Sequence, residues 1–209
     1  MKLIRFGISE SPIVVLQVMD SFMAKDIENE YLLVKQKLGK DFSFAGFVVD
    51  DWNNDPSPWP ASPVFGKDGF GNGASVTLNE IVKYCGDSSK SYYLCGYSLG
   101  GLFALWASCQ TSLFKGIAAV SPSVWFPGFT EYLKSNKALC KSVYLSLGEK
   151  EPKTKNALMQ TVGEKVLECQ TILNNEGIDA FFEWNQGNHF QDATLRAAKG
   201  IAHLLAKRD

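Results

Sequence analysis

Short runs of β-branched and aromatic residues alternate along this chain with segments whose apolar residues recur at helical spacing. That alternation limits the fold more than any other feature. Residues 13–19 (IVVLQVM) read as a buried strand stopped by Asp20 and Ser21, and residues 44–50 (FAGFVVD) repeat the pattern. Between them, residues 26–38 set Ile27, Tyr31, Val34 and Leu38 on one helical face, with acidic residues in the first turn and Gly39 after the end. Thr77-Leu78-Asn79-Glu80 has the form of a capping box and predicts a helix opening there and stopping at Gly86. Residues 91–96 (SYYLCG), 116–120 (GIAAV), 142–147 (SVYLSL) and 179–184 (DAFFEW) read as further strands. Residues 99–109 (LGGLFALWASC) read as an apolar helix. Two more helices follow from the stripe Leu158, Val162, Val166, Cys169 and the stripe Leu195, Ala198, Ala202, Leu205. Strands separated by helices of this length need parallel crossovers, with helices on both faces of the sheet. The expected fold class is α/β: a three-layer α/β/α sandwich with a mostly parallel central sheet, one domain over residues 1–209.

Composition narrows the function classes. Twenty-one Lys and Arg against twenty-two Asp and Glu leave a formal net charge of -1, so there is no field to hold nucleic acid or an anionic membrane surface. The longest apolar stretches are about half of what a bilayer span needs, and Met1-Lys2-Leu3-Ile4-Arg5 lacks the pattern of a secretory leader. Five cysteines without CxxC spacing read as free, mostly buried thiols of a reducing compartment. The expectation is a soluble, cytoplasmic protein; no feature of the sequence fixes an oligomeric state. The irregular segment 50–74 carries four prolines and four glycines. Its Trp52 and Trp59 argue for packing rather than disorder, and its position after a strand end makes it a candidate wall of a substrate pocket, with Tyr97 as a further candidate.

Gly96-Tyr97-Ser98-Leu99-Gly100 matches G-x-S-x-G, and it sits where that motif works, between an apolar strand and an apolar helix. An abrupt strand-to-helix turn strains its corner residue, and side chains two positions to either side would collide, hence the flanking glycines. The corner lifts the Ser98 hydroxyl above the sheet. The following helix aims its N–H groups at the same point, so Leu99 N–H is a candidate donor to an oxyanion. A second backbone donor is expected from the loop after the first long strand, at Phe22 with Ser21 close behind.

A serine needs a base, and the sequence holds two histidines. His203 lies inside the last helix and reads as a packing residue. His189 follows the last predicted strand, at the sheet edge where loops carry catalytic groups. The third member should be a carboxylate after the 142–147 strand. Glu151 is the choice there, three residues past the strand-ending Gly148 and followed by Pro152, with Glu149 as the alternative acid and Asp179 and Asp192 behind it.

These residues resemble the α/β-hydrolase superfamily, in particular its compact esterase branch, which includes esterase D (S-formylglutathione hydrolase) and enterochelin esterase-like proteins. The resemblance covers nearly the whole chain. It rests on GYSLGG at 96–101, SLGEKEP at 146–152, GNHF at 187–190 and the order of strands between them. It implies a serine hydrolase that needs no metal or organic cofactor, with Ser98 as nucleophile, Glu151 at the G-x-x-[DE] position and His189 as base. The usual glycine-bearing oxyanion loop is replaced by Asp20-Ser21-Phe22, and the short connections leave no room for a lid domain. A small or extended soluble ester is therefore the expected substrate. A thioesterase or acyltransferase on the same triad, or a non-catalytic binding module on this scaffold, are the alternatives.

Two other signals carry less. The glycines of residues 66–73 fit neither dinucleotide nor P-loop spacing, and residues 50–55 offer oxygen ligands without the Gly and Glu that complete a calcium loop. No metal site is expected.

Overall fold

The computed structural model describes residues 1–64 and 66–206. Its strands are β1 (Lys2–Gly7), β2 (Ile13–Met19), β3 (Ser43–Val48), β4 (Ser91–Tyr97), β5 (Phe114–Val120), β6 (Ser142–Gly148) and β7 (Asp179–Asn185). They form one sheet in the order β1-β3-β2-β4-β5-β6-β7. Every neighbouring pair is parallel except β1 with β3. The helices are α1 (Ile27–Leu38), α2 (Ala74–Tyr84), α3 (Leu99–Gln110), α4 (Phe129–Ser135), α5 (Val162–Asn175) and α6 (Ala193–Ala206).

Strand side chains alternate between two apolar layers. Val14, Leu16 and Val18 of β2 join Leu94 of β4 and residues of α2, α3, α4 and α5 in one core. Val15 and Met19 join Cys95, Tyr97 and residues of α1 and α6 in the other. This is the expected three-layer sandwich. Strands buried on both faces read as continuous apolar runs, which is why β2 and β4 to β6 are evident from sequence.

Three features differ from expectation. β1 is an additional strand, antiparallel at the sheet edge, where exposed residues such as Lys2 and Arg5 break the apolar run. α4, seven residues long, is also additional. α2 begins at Ala74, so Thr77 lies one turn inside it and its hydroxyl donates to Asp55 O at 2.7 Å instead of capping.

Segment 50–74, described except for residue 65, folds onto the core. Asp55 Oδ2 accepts the N–H groups of Asp50 and Asp51, and Ala61 and Phe70 form an antiparallel bridge. Among the described residues, no helix is long and apolar enough to cross a membrane.

Candidate active site

Ser98 is the single residue between β4 and α3, with φ 57° and ψ -120°. A side chain is strained in this region, and the surroundings must hold it there. A Cβ on Gly96 would lie 2.0 Å from Gly100 O, and one on Gly100 would lie 2.7 Å from Val18 O. Both positions therefore require glycine. The elbow is also tied to the turn after β5: Ser98 N–H donates to Val120 O at 3.1 Å, and Ser123 N–H donates to Ser98 O at 3.1 Å. Leu99, the first residue of α3, has no intrahelical acceptor for its N–H, which lies beside the serine.

His189 stands in the turn between β7 and α6. Its Nε2 is 3.0 Å from Ser98 Oγ and its Nδ1 is 2.7 Å from Glu151 Oε2. Tyr97 Oη donates to the His189 carbonyl at 2.6 Å. Arg196, the largest fully buried side chain, donates through Nη2 to Gln186 O at 2.6 Å and Asn188 O at 3.0 Å. Two neighbouring elements thus pin the loop that presents the imidazole.

Glu151 follows β6, where its N–H donates to Gly148 O at 2.9 Å. Its Oε1 accepts Gly148 N–H at 2.7 Å, Ser121 Oγ at 2.7 Å and Arg196 Nη1 at 3.1 Å, leaving Oε2 for His189. Burial acts to raise this carboxyl. The hydrogen bond and charge of His189, the Gly148 N–H and the Ser121 hydroxyl together outweigh it and hold the group below the ordinary carboxylate value. An ionised Glu151 puts the imidazole proton on Nδ1 and leaves Nε2 to accept from the Ser98 hydroxyl.

A cavity of about 350 Å³ opens over Ser98. Trp52, Trp125, Met159, Val162 and Phe190 give it an apolar wall, and Ser121, Ser123, Glu151 and His189 supply the polar groups. Ser123 Oγ is 3.3 Å from Ser98 Oγ.

Several expected residues stand elsewhere. Phe22 is not placed to hold an oxyanion: its N–H donates to Asp20 Oδ1 at 3.0 Å in a local turn, the residue is 74% exposed, and it lines a different cavity. Trp59 packs against Phe126 and Tyr132 and donates its indole N–H to Pro127 O at 2.9 Å, so it braces the pocket from behind. Tyr97 supports the histidine loop and does not line the Ser98 cavity. Glu149 is exposed, and its backbone N–H donates to Asn185 O. His203 stacks on Phe181, within α6. Sequence reading missed Arg196, Ser121 and Ser123. The two serines follow the carboxyl end of β5, and that edge position is the one signal that marks them. Among the described residues, no group of three His, Cys, Asp or Glu is placed to hold a metal ion.

No family model and no curated protein sequence matches the chain. Solved structures do. The siderophore hydrolase EstA from Aspergillus nidulans superposes with a TM-score of 0.65 at 18% identity, over 97% of this chain and 93% of that one. EstB, a siderophore hydrolase from the same organism, gives 0.68 at 17% identity, over 93% and 82%. The enterobactin esterase FES from Shigella flexneri gives 0.65 at 18% identity, over 98% of this chain and 55% of that one. With the seven-stranded sheet, its flanking helices and the strained serine at the end of β4, the chain has the α/β-hydrolase fold that these esterases share.

Proposed function

We propose that this protein is a serine hydrolase that cleaves carboxylic esters through an acyl-enzyme. The observation that carries the reading is the unbroken chain of contacts Ser98 Oγ, His189 Nε2, His189 Nδ1 and Glu151 Oε2, at 3.0 and 2.7 Å. His189 takes the hydroxyl proton as Ser98 attacks the ester carbonyl, then gives it to the leaving alcohol; water, activated by the same imidazole, releases the acyl group. Glu151 fixes the tautomer and offsets the imidazolium charge. Leu99 N–H is the backbone donor assigned to the oxyanion.

The apolar cavity supports an uncharged acyl part small enough for about 350 Å³, which matches a short or extended soluble ester. That the fold neighbours are hydrolases and esterases supports the same reaction class. The test is labelling by a fluorophosphonate and turnover of a short p-nitrophenyl ester. Wild type should do both and Ser98→Ala neither, with unchanged circular dichroism. Labelling that survives in Ser98→Ala overturns the assignment. Product analysis with competing thiol and alcohol acceptors separates hydrolysis from acyl transfer.

A further inference from the structure

Phe190, the residue after His189, is 89% exposed, and its ring stands perpendicular to the imidazole with 5.3 Å between centroids. Its N–H donates to Asn188 Oδ1 at 3.0 Å, which fixes the turn. Phe190 lines the Ser98 cavity and also a second cavity, of about 480 Å³, on the α1 and α6 side of the sheet. Phe22, 74% exposed, and Leu195, 48% exposed, line that second cavity too. Three large apolar side chains left in water around one cavity mark a binding surface.

The rest of the cavity restricts what it can hold. Gln17 of β2 and Glu30 of α1 lie buried beneath it, where Gln17 Nε2 donates to Glu30 Oε2 at 3.3 Å. Burial pushes the Glu30 carboxyl up to about 8, so this floor carries no charge at neutral pH. The charged groups are the exposed Asp26, Asp192 and Lys25, the last with its ammonium over the Phe22 ring. Asp26 accepts the Thr194 hydroxyl at 2.6 Å, which ties the start of α1 to α6. The cavity thus keeps its charges in water and offers a ligand apolar walls.

The reaction proposed for Ser98 sends the two halves of an ester in different directions. The acyl carbon bonds to Ser98 Oγ and stays in the cavity that Ser98 lines. The bond from that carbon to the alcohol oxygen breaks, and the oxygen takes the proton held on His189 Nε2. The alcohol half therefore departs past the imidazole, where Phe190 borders the second cavity. We propose that this second cavity is the alcohol subsite, and that the protein favours esters joining a small acyl part to an extended, uncharged, apolar alcohol held against Phe190, Phe22 and Leu195. The proposal rests on the serine hydrolase reading and adds the other half of the substrate to it.

Two isomeric esters test it on the full chain: phenylpropyl acetate, with its bulk on the alcohol, and methyl phenylbutanoate, with the same bulk on the acyl part. The readout is the ratio of their kcat/KM values. Wild type should favour the acetate by about tenfold, and Phe22→Ala should lower the ratio about fivefold. Leu195→Ala, on a different element, should lower it comparably, whereas Met159→Ala, in the Ser98 cavity, should not. A wild-type ratio of one or below overturns the proposal, as does a ratio unchanged in both Phe22→Ala and Leu195→Ala or lowered equally by Met159→Ala. Fluorophosphonate labelling with turnover of neither isomer also removes this proposal alone. Wild type that is neither labelled nor active on any ester removes the hydrolase reading, and this proposal with it.

Discussion

Arg196 Nη1 lies 3.1 Å from Glu151 Oε1, the carboxylate oxygen turned away from His189, and both side chains are almost wholly buried, at 2% and 5% exposure. The same guanidinium holds the carbonyls of Gln186 and Asn188. One side chain thus neutralises the acid and fixes the approach of the imidazole. Removing one partner of a buried pair strands the other charge, at a cost of about 3–5 kcal/mol. Arg196→Met should lower stability by that order in urea denaturation and slow fluorophosphonate labelling. Arg196→Lys restores charge but not the planar fork, and should fall between. A loss below about 1 kcal/mol in Arg196→Met would contradict the pairing.

Ser123 presents a buried hydroxyl 3.3 Å from Ser98 Oγ. With Ser98 donating to His189, Ser123 donates to Ser98 and aligns its lone pairs. Ser123→Ala should lower kcat by about fivefold to tenfold, the worth of one hydrogen bond, and leave KM nearly unchanged. The rate of labelling should drop in parallel. A change confined to KM would move Ser123 from aligning the nucleophile to holding substrate.

Glu30 makes stability depend on pH in the opposite sense to a paired carboxylate. Its folded value, about 8, lies above the unfolded value of about 4.3, so its stabilising contribution is complete below the lower value. That contribution is lost as pH rises through the higher one. Urea midpoints at pH 5, 7 and 9 should therefore show wild type losing a few kcal/mol relative to Glu30→Gln, which has no proton to release. Parallel pH profiles for the two proteins would show that the carboxyl is not held protonated.

The legible parts of this molecule are those whose cause is local. β2, β4, β5 and β6 are apolar because both faces of the sheet are covered, and the turn at Ser98 needs glycine on each side for steric reasons that a pentapeptide displays. His189 and Glu151 were reachable because loops after strands in a parallel sheet gather at one edge. Phe22 misled because a backbone donor is available only if nothing nearby takes it, and here the Asp20 carboxylate does. Arg196 was invisible for a related reason: within α6 it reads as an ordinary solvated position, and only the fold shows that it points at three loops. β1 escaped notice because an edge strand with Lys2 and Arg5 has no apolar run to announce it.

The backbone at Ser98 has one further consequence. A dihedral pair at φ 57° suits glycine better than serine, so the chain stores conformational energy at the point where its hydroxyl is presented. Ser98→Gly should be inert toward esters and yet unfold at a higher denaturant concentration than wild type, by about 1 kcal/mol. Damage to chemistry and damage to folding would then run in opposite directions at this position. A screen that scores variants by expression or thermal persistence would rank the variant without the Ser98 hydroxyl above the protein that carries it.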